Sequence, residues 1–284
     1  MTIQKISLQD KNYPKLLRQI YKPPKELYVM GDLMPKETNA LAVVGTRLYS
    51  AYGKSICQTL VQELSGYNFT IISGLAIGID IFAHLAALEN GLKTIAVLGS
   101  GFHYIYPSAH KKIAERIVRS GGALVSEYPP DTRPDRWQFP ARNRIIAGLA
   151  QATLVVEAPI KSGALITAHY ALDEGREVMA VPGDLNKKNS EGTNYLIHEG
   201  AKMIQSSQDI IEAYGLKSKE KSSAPLPLNQ EEKLLLKIIE REPLHIDKII
   251  DLSKLDSSAV ISTLTVMEIN KKVKNLGNGS YAIF

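Results

Sequence analysis

Five short apolar runs in the first two thirds of the chain limit what it can fold into. They are LAVV at 41–44, FTII at 69–72, TIAVL at 94–98, TLVV at 153–156 and EVMAV at 177–181, with ALVS at 123–126 a weaker sixth. None alternates polar with apolar. A strand that is apolar at every position is buried on both faces, which is the situation of a parallel sheet covered by helices. The stretches between the runs have helical spacing, at roughly 51–65, 79–90, 108–120, 143–150 and 163–174. Strand and helix in alternation predict an α/β fold with a mainly parallel sheet and helices on both faces. A further helix near 192–199 and a short strand at KMI, 202–204, continue it. Residues 1–40 break the alternation, and YPKLL with YKPPKELYVMGDL reads as an irregular extension packed on the sheet domain, which spans 41–214.

The composition changes abruptly at 215–228, GLKSKEKSSAPLPL, which is polar, charged and Pro/Ser-containing and reads as a linker. Residues 229–284 then carry three short helical patterns. Leu234, Leu235, Ile238 and Ile239 mark the first, HIDKIIDL the second, and SSAVISTLTVMEI the third, with Asp256 or Ser257 as N-cap. KKVKNLGNGSYAIF follows as a hairpin turning at Gly277, Asn278 and Gly279. Three helices and a terminal hairpin predict a small winged-helix-like domain.

Functional classes narrow from charge and from missing signals. A net charge of +5 permits nucleic-acid binding without requiring it. No apolar run is long enough to span a membrane, and the first residues lack the apolar core of a signal peptide, so a cytoplasmic location is expected. The single cysteine, Cys57, sits beside Ile56, Leu60, Val61 and Leu64 and reads as a core residue.

Ligands of open parallel sheets bind at the carboxyl ends of strands, so the residues after each run matter most. They are Gly45-Thr46-Arg47, Ser73-Gly74, Gly99-Ser100-Gly101, Lys161-Ser162-Gly163 and Pro182-Gly183. Turn chemistry explains any one of these glycines. Several such turns beside Arg47, Lys161, Arg136 and the Arg142-Asn143-Arg144 cluster predict a phosphate-binding rim, with backbone amides and guanidinium groups facing an anion. Phe139 or Trp137 is placed to stack a base. Arg144 has an alternative role, bracing Glu127 or Glu157. No G-x-G-x-x-G follows the first run and no G-x-x-x-x-G-K-[ST] exists, so neither a dinucleotide cofactor nor P-loop ATP hydrolysis is expected.

In chain order, VVGTR, SGLAIGIDIFAH, VLGSG with a following YP, SEYPP, FPARNRIIAGL, VVEAPIKSGALITA, GREVMAVPG and EGTNYLIHEGA resemble the motifs of the DNA-processing protein A (DprA/Smf) family. YPKLL…PPKELYVMGDL resembles that family's segment before the sheet domain, and the C-terminal helices with NGSYAIF resemble its winged-helix-like domain. The likeness runs from about residue 12 onward. It implies a Rossmann-like fold, a homodimer, and binding of single-stranded DNA without cleavage. It also implies loading of RecA recombinase in natural transformation. By motif match, Arg47 and the segment Arg142–Arg144 would line the DNA groove. Ile77 stands where the family often has a basic residue.

Catalysis finds little support. Asp80 and His84 lie four apart, but no nucleophile motif accompanies them, and Asp80 near a helix start more simply satisfies backbone amides. The histidines lack metal-ligand spacing, and Glu127 and Glu157 do not form a carboxylate cluster, so no catalytic residue and no metal is expected. The enzyme alternative is a Rossmann-fold nucleotide phosphoribohydrolase. Its P-G-G-x-G-T-x-x-E run has no counterpart in VPGDLNKKNSEGT. A duplex-reading transcription factor would rest on the C-terminal domain. There eight basic and eight acidic residues cancel, and the third helical pattern carries no Lys or Arg. Lys271, Lys272 and Lys274 keep a weak DNA contact open beside a protein-contact role.

Overall fold

The computed structural model describes residues 2–33, 39–217, 229–240, 242–269, 272–277 and 279–283. Most of the linker, with Lys271 and Asn278 of the expected wing, lies outside the described residues. The chain divides into two compact units, Met1–Ser218 and Lys219–Phe284.

In the first unit the chain runs β1 (Ile3–Ser7), α1 (Lys15–Arg18), β2 (Glu26–Gly31), β3 (Asn39–Val44), α2 (Ala51–Glu63), β4 (Phe69–Ser73) and α3 (Ile79–Glu89). It continues with β5 (Lys93–Leu98), α4 (Lys111–Arg119), β6 (Ala123–Ser126), α5 (Gln138–Leu149), β7 (Ala152–Val155) and α6 (Gly163–Asp173). Then come β8 (Glu177–Ala180), α7 (Lys188–His198), β9 (Lys202–Met203) and α8 (Ser207–Ala213). One nine-stranded sheet has the order β1-β2-β6-β5-β4-β3-β7-β8-β9. All pairings from β6 to β9 are parallel.

The apolar runs work as expected, since successive residues feed opposite faces. Ala42, Val44, Ile72, Val97 and Val155 pack against α5 and α6. Leu41, Val43, Ile71, Leu154 and Met179 pack against α2, α3 and α8. Ala96, Leu98 and Leu124 meet α3 and α4. Each fully buried Val, Leu, Ile or Met side chain among them contributes about 1.5–3 kcal/mol. This is the expected α/β, Rossmann-like architecture.

Two details differ from the sequence reading. The N-terminal segment is not irregular: β1 and β2 form an antiparallel hairpin, and β2 pairs antiparallel with β6. In β2 buried residues alternate with more exposed ones while β1 buries only Ile6, as on an edge added to a covered sheet, and Pro23 and Pro24 mask the pattern. Helix α5 begins at Gln138 rather than at 143. Pro140 fits its first turn, where the missing amide costs nothing, so Phe139 and Arg142 belong to the helix.

The second unit contains α9 (Gln230–Ile239), β10 (Leu244–His245), α10 (Ile246–Ser253), α11 (Ser257–Ile269), β11 (Val273–Asn275) and β12 (Ser280–Ile283). The strands form a small sheet in the order β10-β12-β11. Leu235, Ile249, Val260, Leu264 and Tyr281 are among its core residues. Asn229 and Glu232 form a capping box on α9, and Asp256 accepts the Ser258 amide at 3.1 Å at the start of α11. This is the expected winged-helix-like domain.

Candidate nucleic-acid interface

The parallel strands count outward from β3 to β6 in one direction and from β7 to β9 in the other. Strand order therefore reverses between β3 and β7, and the connections leaving these two strands part to open a crevice at their carboxyl ends. A cavity of about 740 Å³ lies there. Arg47, Arg136, Arg142 and Lys161 all line it.

Arg47 is held by its neighbours rather than by its own side chain. The Thr46 amide donates to the Glu157 carbonyl at 2.7 Å, and the Leu48 amide donates to the Thr46 hydroxyl at 3.1 Å. The exposed Arg47 guanidinium lies over the Phe139 ring, 5.9 Å from its centroid, a cation–π contact. Among the described residues, no carboxylate pairs with Arg47, Arg136 or Lys161.

Two helix N-termini approach this crevice, and they differ. At α2 the buried Glu157 accepts the Ser50 amide at 2.9 Å and the Ser50 hydroxyl at 2.5 Å. A Cβ on Gly53 would stand 2.1 Å from a Glu157 carboxylate oxygen, so the glycine makes room for it. The protein's own carboxylate thus occupies the positive end of α2. At α6, Ser162 caps the Ala164 amide at 3.2 Å, and no acidic residue lies in the first turn. Lys161, Ser162 and Gly163 face the cavity from this end, and Asn143 donates to the Gly163 carbonyl at 3.1 Å. An anion therefore fits at α6, not at the first βα turn.

Arg142 differs from the expected exposed grip. It is 4% exposed and donates to the Gly74 carbonyl at 2.7 Å and to the Val97 carbonyl, tying α5 to the ends of β4 and β5. A Cβ on Gly74 would fall 2.6 Å from its guanidinium carbon. Asp80 lies beside it and accepts the Gly74 amide at 3.0 Å. Burial pushes the Asp80 carboxyl up, opposed by the Arg142 charge and the Gly74 and Ala76 amides. Burial lowers the Arg142 pKa to about 10, and Asp80 opposes that shift. Arg142 stays charged at neutral pH, as a clamp whose charge also reaches the cavity wall.

The remaining expected residues divide. Arg144 points to Glu127, with both carboxylate oxygens within 2.6 Å, so its charge is spent inside the protein as the bracing alternative foresaw. Gly45 packs against Ile79, Gly99 lies beneath Phe139, and Gly101 meets the carbonyls of Pro129 and Pro130. The Ser100 hydroxyl donates to the Tyr104 carbonyl at 2.7 Å. The 99–101 turn is thus packing beneath the site, and none of its residues lines the cavity. Trp137 is 60% exposed and meets Tyr128 edge-on, away from the cavity lining; of the two expected stacking residues Phe139 is the one at the cavity. Tyr106, whose ring lies 5.5 Å from that of Phe139, escaped the sequence reading. Its only signal was an aromatic before a proline in the quoted YP. Ile77 is exposed on the same rim, in a small pocket shared with Arg47.

Asp80 and His84 do not pair. His84 Nδ1 lies 2.7 Å from the Thr94 hydroxyl, which itself donates to the Ile71 carbonyl at 2.8 Å, so Nδ1 is the donor. Burial lowers the His84 pKa to about 3. Cys57 is buried and burial pushes its thiol up. Among the described residues, no group of three or more His, Cys, Asp or Glu is placed to hold a metal, and no helix is long and apolar enough to cross a membrane.

Comparison with known proteins bears on this site. The family model described as DNA recombination-mediator protein A matches residues 4–215, and the one described as DprA winged helix domain matches 219–279. The DNA processing protein DprA of Bacillus subtilis is 43% identical over 211 residues, covering 74% of this chain and 71% of the relative. The protein Smf of Escherichia coli is 44% identical over 200 residues, covering 70% of this chain and 54% of that protein. The X-ray structure of DNA processing protein A from Streptococcus pneumoniae is similar at TM-score 0.70 and 42% identity, covering 74% of each chain. A Helicobacter pylori DNA processing protein A structure, described for its single-stranded DNA binding mode, is similar at TM-score 0.66 and 32% identity, covering 75% of this chain and 95% of that one. Matched along both units, and by relatives at this level of identity, the chain belongs to the DNA-processing protein A (DprA/Smf) family.

Proposed function

We propose that this protein binds single-stranded DNA, without cutting it, in the cavity between β3 and β7. The observation that carries the reading is the set of three cations there, Arg47, Arg136 and Lys161, which pair with no carboxylate among the described residues and line the same cavity as the positive end of α6. Phosphates supply the missing anions. Phe139, beside Arg47, offers a face to a base, a contact that tolerates any sequence. Gly45, Thr46, Gly74, Asn143, Ser162 and Gly163 shape the wall around those groups. Arg142 contributes charge from within the wall.

Family membership supports the finer part of the proposal. The protein works as a homodimer in the cytoplasm, protects incoming single strands, and passes them to RecA recombinase. Residues 1–40 and 41–214 together form the DNA-holding part, and 229–284 a tethered module of neutral charge balance. The test is a gel shift with a single strand and a duplex of equal length across a salt series. Tighter binding of the single strand, weakening with salt, supports the reading; equal affinity for both overturns it.

A further inference from the structure

We propose that the DNA track does not end at the cavity but continues past Tyr106 into a second single-strand subsite, the groove between the 103–106 turn, Pro134 and the start of α4. The proposal rests on the reading that the cavity itself holds single-stranded DNA. Tyr106 is 53% exposed and borders both spaces, so a strand leaving Phe139 meets it next. The groove beyond is about 610 Å³, with an apolar floor that includes Phe102 and Leu124.

Its walls are built rather than loose. The Gly101 amide donates to the Thr132 carbonyl at 2.8 Å and the His103 amide to the Pro130 carbonyl at 3.0 Å. His103 Nδ1 also lies 2.8 Å from an Asp131 carboxylate oxygen. On this frame Tyr104 is exposed, and the Arg133 guanidinium sits over its ring at 5.5 Å. Lys111 lines the groove and has no ion pair among the described residues. The acidic residue in the lining, Glu115, lies 3.9 Å from Arg119. Aromatic faces for bases beside cations for phosphates are what a sequence-tolerant single-strand site requires. Its continuity with the cavity through Tyr106 selects nucleic acid as the occupant.

The test is anisotropy binding of labelled oligothymidylates from about 4 to about 16 nucleotides, the range of known single-strand site sizes. The full chain carries Tyr104→Ala with Lys111→Ala, or Tyr104→Phe, or Arg47→Ala. Both altered side chains of the double variant are exposed, and a melting curve checks that it folds. The double variant should bind the shortest oligomers like wild type and lose at least about 5-fold on the longest, the effect of one stacked base. Tyr104→Phe should bind every length like wild type, because the ring face remains. Arg47→Ala should weaken all lengths. If the double variant matches wild type at every length, or loses equally at every length, the second subsite is overturned while the cavity stands. If Arg47→Ala is without effect at every length, the cavity reading itself falls.

Discussion

Replacing Arg142 with alanine should cost stability first and DNA binding second. Its guanidinium bridges Gly74 and Val97 from α5 and lies beside the buried Asp80. The substitution removes those bonds and leaves the two carbonyls without this donor. An unsatisfied buried polar group costs about 1–3 kcal/mol, so two cost about 2–6 kcal/mol. In a domain of this size each kcal/mol moves the melting temperature by about 2–4 °C, so a drop of about 4–24 °C is expected. Arg142→Lys should fall between, keeping the charge but losing the Nε bond to Asn143 and the reach of Nη1, which meets both carbonyls. Circular dichroism melting of the full chain measures it, with Arg47→Ala as control. Arg47 is exposed and bonded to nothing buried, so that control should melt like wild type. If Arg142→Ala melts within about 1 °C of wild type, the clamp is wrong and the residue belongs with the exposed grips.

Further outcomes follow from the same geometry. His84 has a folded pKa of about 3 against an ordinary value near 6.5, so the unfolded chain takes up the proton first. Stability from His84 is therefore full above about pH 6.5 and is lost as pH falls below it; Asp80, pushed up by burial, acts with the opposite sign. The melting temperature should drop less between pH 7 and pH 5 in His84→Gln than in wild type, and equal drops would refute the assignment. Ile77→Arg places a cation on the rim beside Arg47 and should raise single-strand affinity and steepen its salt slope by about 0.7; an unchanged slope would show that no phosphate passes there. A fragment of residues 1–217 should fold and keep most of the single-strand affinity. It retains Tyr214, whose hydroxyl donates to the Ala40 carbonyl at 2.7 Å, and Leu216 against the core. If a fragment of 226–284 alone reproduces full-length binding and 1–217 is inert, the sheet domain is not the DNA-holding part.

Much of the fold was legible because burial on both faces leaves a pattern in sequence: LAVV and TIAVL became β3 and β5 with every central residue covered. The hairpin of β1 and β2 was not, since β1 buries only Ile6, β2 alternates rather than running apolar, and two prolines stand just before it. The candidate site was legible as residue types but not as roles. Four arginines at 136–144 and at 47 look alike in one dimension. Only the fold shows that Arg47 and Arg136 face the cavity, that Arg142 is buried under Gly74, and that Arg144 meets Glu127. Nor does the sequence reveal that Glu157 occupies the end of α2, a contact spanning more than a hundred residues. A glycine loop after the first parallel strand suggests an anion site, and here the anion is part of the chain.

With single-stranded DNA in the cavity, phosphates sit between Arg47 and the end of α6. The most direct test is the salt dependence of single-strand affinity in the full chain, comparing wild type with Arg47→Ala plus Lys161→Ala. Each phosphate contact on a single strand contributes a slope of about 0.7 in log affinity against log salt. The double variant should therefore bind more weakly at low salt, with a slope shallower by about 1.4, and melt at the wild-type temperature. A variant that melts normally and keeps both the wild-type affinity and the wild-type slope would show that no phosphate sits there.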